Sequence, residues 1–70
     1  MSFSIGDQVE VNQAWIDMAS ESTIPLYNRK TGIIRIIISP GKYIVDFGDG
    51  EEHWDEKYLK YTRIQNLSLI

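Results

Sequence analysis

The sequence predicts an all-β domain of five short strands, and three observations predict it. Five isoleucines occupy six consecutive positions from Ile33 to Ile38, interrupted only by Arg35. Their β-branched side chains favour extended backbone. Next, Tyr43, Val45 and Phe47 alternate with Lys42, Ile44 and Asp46, the two-residue period of a strand with one buried face. Third, Pro40-Gly41 and Gly48-Asp49-Gly50 punctuate these runs at the spacing of hairpin turns. Seventy residues, 43% of them apolar, allow one small core near the lower limit of unaided folding. The chain has no cysteine, so no disulfide or thiolate metal site reinforces that core.

Taken in order, Ile5-Gly6-Asp7 reads as a turn leading into strand one, 8–12, where Val9 and Val11 alternate with Gln8 and Glu10. Residues 12–30 show neither helical nor strand periodicity and are expected to form a long loop folded back on itself. Trp15, Ile16, Met18, Ile24, Leu26 and Tyr27 are too apolar for a free linker and pin that loop to the sheet. A short helix over 13–20 is the alternative, with Ala14, Trp15, Met18 and Ala19 on one face. Strand two spans 31–39, strand three 42–47 and strand four 51–54. DEKYL (55–59) reads as one helical turn, and KYTRI (60–64) closes the sheet as strand five. Residues 1–64 are expected to form the domain and 65–70 a tail whose Leu67, Leu69 and Ile70 dock or add to a strand edge.

Several function classes are disfavoured by composition. No segment approaches the roughly 20 apolar residues needed to span a bilayer, and no signal-like leader is visible, so a cytoplasmic protein is expected. Formal net charge is −3, and its distribution is uneven. Residues 46–56 hold Asp46, Asp49, Glu51, Glu52, Asp55 and Glu56 with no Lys or Arg. Everything outside that segment carries four acids against seven bases. A phosphate backbone is repelled from such an acidic edge, which disfavours nucleic acid as partner.

The succession Gly6-Asp7-Gln8-Val9, Thr31-Gly32-Ile33-Ile34, Tyr43-Ile44-Val45-Asp46-Phe47 and Leu59 resembles small SH3-like barrel proteins. The photosystem I barrel protein that meets ferredoxin, the KOW and Tudor-type modules and the Mind-bomb/HERC-type barrels share it. The stretch VDFGDG (45–50) is similar to the strand and turn of the last group. The resemblance covers 5–64 and implies a five-stranded SH3-like barrel with a long loop after strand one and a short helical turn before strand five. Its motifs are fold-forming, so it implies no binding residues. The acidic balance departs from the basic docking face of the photosystem protein, and the leading basic residues of KOW modules are missing.

Chemistry has few carriers here. Asp46, Asp49, Glu51 and His53 offer metal-ligand atoms, but they straddle a hairpin where alternate residues face opposite ways and match no metal-loop spacing. No metal, no cofactor and no catalytic residue are expected. His53 lacks a nucleophile and an orienting group at matched positions, so the chain is read as a non-enzyme. The aromatics carry more. Trp15, Tyr27, Trp54 and Tyr58 fall in the long loop and around strand four, where they either cap the barrel or line a groove. Tyr43, Val45 and Phe47 are assigned to the core.

The expectation is a protein-binding or assembly module that docks on a basic protein partner. Its surface comprises Asp49, Glu51, Glu52, Asp55 and Glu56 with Trp15, Tyr27, Trp54 and Tyr58 as aromatic anchors. One alternative is a nucleic-acid module of KOW or Tudor type using Arg29, Lys30, Arg35 and Lys42. Another is an inhibitor, of a kind phages use, whose acidic edge mimics a phosphate backbone. The Ile33–Ile38 strand is apolar on both faces. Cover by the long loop and barrel is expected, leaving a monomer, with a weak homodimer through this strand as the alternative.

Overall fold

Residues 3–62 are described by a computed structural model of the chain. Strand β1 (Gln8–Val11) leads to two short helices, α1 (Gln13–Met18) and α2 (Ile24–Tyr27). Strands β2 (Gly32–Ser39), β3 (Lys42–Asp46) and β4 (Glu51–Asp55) follow, then a 3-10 turn (Glu56–Tyr58) and β5 (Leu59–Tyr61). All five strands join one antiparallel sheet in the order β4-β3-β2-β1-β5. Among the described residues the sheet is open, with β4 and β5 as its outer strands.

Strand β2 is the organising element. Its first residues pair with β1, Gly32 with Val9 and Ile33 with Gln8, while β3 follows it from Ile33 to Ser39. Two register shifts, between Ile34 and Ile36 and between Ile37 and Ser39, bend the strand as bulges do. The β2–β3 turn has Pro40 followed by Gly41 at φ 80°, the combination a type II turn favours. In the β3–β4 turn, Asp46 Oδ1 accepts the Gly48 N–H at 2.7 Å, the local bond for which Asp favours turns.

The core is assembled from the inward-facing residues of the strands. Val9, Val11, Ile34, Tyr43, Val45, Phe47, Trp54 and Leu59 are buried, joined by Phe3 and Trp15. The expected core residues Tyr43, Val45 and Phe47 are all among them. Phe3 packs edge-on against Tyr43 and Tyr61, with ring centroids 5.6 and 4.8 Å apart.

Several expectations change. The segment after β1 is not an irregular loop: residues 13–18 and 24–27 are helical. Asn12 caps α1 by accepting the Trp15 N–H at 3.2 Å, so the alternative of a short helix over 13–20 is met over 13–18. Within α1 only Trp15 is buried, while Ala14 and Met18 face outward. A closed barrel gives way to an open five-stranded sheet. Ile36, Ile37 and Ile38 are 44–49% exposed, because β1 leaves the side of β2 after Gly32–Ile33. The expected strand at 60–64 is seen as 59–61. Residues 63–64 and the tail 65–70, with its Leu67, Leu69 and Ile70, lie outside the described residues.

Candidate binding cleft

A cleft of about 360 Å³ opens where α1, α2, β4 and the 3-10 turn converge. Trp15 and Met18 come from α1, Thr23 and Tyr27 from the α2 segment, His53, Trp54 and Asp55 from β4, and Tyr58 from the turn. The local reasons are simple. Asn12 starts α1 so that Trp15, three residues later, turns inward. On β4 the strand period buries Trp54 and leaves His53 exposed. Glu56–Tyr58 then form a single turn that lays Tyr58 beside them.

The floor is a packed aromatic cluster. Trp54 lies 5.8 Å from Trp15, 5.3 Å from Tyr27 and 5.2 Å from Phe47, centroid to centroid. Tyr27 meets Trp15 at 5.6 Å and Phe47 at 5.5 Å, both edge to face, the arrangement that ring quadrupoles prefer. Trp15 and Trp54 are 7% and 9% exposed, so they form the floor while Tyr27 and Tyr58, half-buried, form walls. The Trp54 Nε1–H is buried and meets no acceptor among the described residues.

The six acids of 46–56 divide into two groups. Asp46 pairs with Arg35 at 3.6 Å, and Asp55 pairs closely with Lys42. Glu52 accepts the Tyr27 hydroxyl on both oxygens, at 2.8 and 2.7 Å. Glu56 accepts the Tyr43 hydroxyl at 2.8 Å. Asp49 and Glu51 are exposed on the turn and the start of β4, and neither is ion-paired among the described residues. Their charge is therefore the part of the acidic edge left for a partner. Lys57 places its ammonium 5.1 Å from the Tyr58 ring centre.

Ionisation follows these contacts. Its hydrogen bond to Glu52 raises the Tyr27 hydroxyl pKa above the usual tyrosine value, helped by burial and the charges of Glu52 and Asp49. The Lys42 ammonium donating to Asp55 holds that carboxyl below the ordinary range. Burial raises Tyr43, and its hydrogen bond to Glu56 adds to the rise.

Of the nine anticipated residues, Trp15, Tyr27, Trp54, Asp55 and Tyr58 line the cleft directly. Glu52 reaches it through Tyr27, Asp49 and Glu51 lie outside it, and Glu56 turns instead towards Tyr43. Met18, Thr23 and His53 are lining residues that sequence reasoning misses. Met18 stands three residues from Trp15, a helical neighbour, and that spacing is its only signal. No group of three or more acids and histidines is placed to hold a metal among the described residues. No helix among them is long and apolar enough to cross a membrane. No family model matches the chain, and neither a curated protein nor a solved structure gives a significant match.

Proposed function

We propose that this chain is a non-catalytic binding module of SH3-like architecture that docks on a basic segment of a partner protein. The strand order, the long bent β2 shared by β1 and β3, and the 3-10 turn between β4 and β5 support that architecture. The observation that carries the function is the placement of both tryptophans of the chain on the floor of one cleft, with the acids Asp49 and Glu51, not ion-paired among the described residues, outside it on the neighbouring turn and strand. Asp49 and Glu51 attract a basic segment, and the aromatic floor receives its apolar or cationic side chains. The nucleic-acid reading has less support, since Arg35 and Lys42 are engaged by Asp46 and Asp55. The exposed Ile36–Ile38 edge supports a weak homodimer as the assembled form.

The test is a fluorescence titration with a panel of Lys/Arg-rich and charge-matched acidic peptides. Tryptophan emission reads the cleft, because no other tryptophan exists in the chain. Basic peptides are expected to shift the emission, and Asp49→Asn with Glu51→Gln to weaken binding about three- to tenfold at low salt. Added salt should erase that difference. Equal response to acidic peptides, or affinity indifferent to the double substitution, would refute the docking edge.

A further inference from the structure

Residues 20–30 are tied to the rest of the described molecule in an unusual way. Their backbone hydrogen bonds are local: Thr23 and Ile24 donate to Ser20, Leu26 to Thr23, Asn28 to Ile24 and Lys30 to Tyr27. Ser20, Ser22 and Thr23 bond among themselves. Among the described residues, a single side chain carries the hydrogen bonding outward: Tyr27, whose hydroxyl grips Glu52 at the surface. Apolar contact is equally concentrated. Ile24 and Tyr27 pack on the core, while Pro25 faces outward and Leu26 is 50% exposed.

At both ends of the segment the backbone leaves helical geometry. Helix α1 stops at Ala19, whose backbone is extended at φ −77° and ψ 155°. At the far end Asn28 is extended and Arg29 sits at φ 65°, a left-handed conformation costly for a residue with a Cβ. Beneath the segment lies the Trp54 indole, 5.3 Å from the Tyr27 ring, its buried N–H without an acceptor among the described residues. A buried donor without an acceptor is a standing penalty of the closed arrangement. Swinging the segment out would release the Arg29 backbone and expose the Trp54 N–H to an acceptor from water or from a bound chain.

We propose that residues 20–30 form a latch over Trp54, closed in this structure by the Tyr27–Glu52 clasp, and that a partner segment enters the cleft by opening it. The opening is a property of the fold alone. Its role in binding rests on the reading of the cleft given above. Ligand affinity is then reduced by the fraction of molecules that are closed, and loosening the clasp restores it.

The indole N–H of Trp54 gives its own proton–nitrogen NMR signal, and its solvent exchange reads opening directly. In the free protein it is expected to exchange faster than the backbone amides of Val9 and Val45, without global unfolding. Tyr27→Phe keeps the ring but removes the hydroxyl, so exchange should quicken about tenfold or more. Arg29→Gly relieves the closed-state backbone and should slow it about two- to fivefold. Exchange of Trp54 in step with Val9 and Val45, in wild type and both variants, overturns the latch. In the peptide titration, Tyr27→Phe should bind more tightly than wild type. Equal affinity alongside faster exchange would overturn the gating role. Absence of binding by any peptide removes the cleft reading and the gating together, while the exchange measurement still decides whether the segment opens.

Discussion

Gly32 is where a single atom matters most. A Cβ there would stand 2.7 Å from Val45 Cγ1 and 2.9 Å from both Cδ1 and Cε1 of Phe47. Val45 is fully buried and Phe47 nearly so, which leaves neither side chain room to retreat. Overpacking of this kind strains a close-packed core. Gly32→Ala is therefore expected to destabilise the fold by about 1–3 kcal/mol, measured by urea unfolding against Thr31→Ala, an exposed neighbour, as control. An unchanged midpoint would show that the core gives way at this point. In the sequence Gly32 reads only as the opening of a strand, because the atoms that forbid a side chain belong to residues 13 and 15 positions later. Tyr43 has the same character. Alternation identifies it as core, but its hydroxyl also accepts the Phe3 N–H at 3.0 Å and donates to Glu56. Those partners are set by the tertiary fold and leave no periodic mark.

Elements are legible in proportion to their regularity. Strands β2, β3 and β4 lie within a residue of their expected ends, since alternation and turn residues are local signals. Helix α1 is legible only as the alternative of a short helix over 13–20 and α2 not at all, as six and four residues make too few turns to repeat an apolar position clearly. What fixes α1 is Asn12, a residue at the meeting point of three elements. Its Oδ1 caps α1 at the Trp15 N–H, its Nδ2 donates to Lys57 O at 2.7 Å, and its backbone N–H donates to Tyr58 O at 2.9 Å. One amide side chain thus registers the helix against the 3-10 turn and thereby sets Trp15 beside Tyr58 in the cleft. Asn12→Ala is expected to cost about 1–2 kcal/mol, the range of lost N-caps. Asn12→Asp should do no better. It restores the cap but replaces the donor facing Lys57 O with an acceptor, leaving two oxygens opposed. Thermal melts of the two variants check this, and full rescue by Asp would reduce Asn12 to a helix cap alone. The candidate site is half legible for the same reason. Aromatic residues announce themselves one by one, while their gathering around Trp54 depends on a helix the sequence offers only as an alternative to a loop.

At the scale of the whole molecule, the acidic edge acquires a second role. Four of its six acids are engaged inside the fold, Asp46 and Asp55 by cations and Glu52 and Glu56 by tyrosine hydroxyls. Charge that composition presents as a single repulsive patch is in this way partly used as structure, and stability becomes linked to pH at both ends. Asp55 has a folded pKa below its ordinary 3.8, chiefly through the hydrogen bond from Lys42. Its contribution is present above the unfolded value and is lost as pH falls through the folded one. Tyr27, Tyr43 and Tyr61 have folded pKa values above their ordinary 10.0, Tyr27 mainly through Glu52 and the other two mainly through burial. There the folded state holds protons longer than the unfolded chain. Stability is therefore full below the unfolded tyrosine pKa and declines as pH rises through the folded values. A melting temperature followed across pH is expected to fall below about 4 and again above about 10. Tyr27→Phe should shallow the alkaline decline, because it removes the tyrosine bound to a carboxylate. An alkaline limb identical in that variant would place the linkage entirely on Tyr43 and Tyr61, and the Tyr27–Glu52 clasp would then contribute nothing to it.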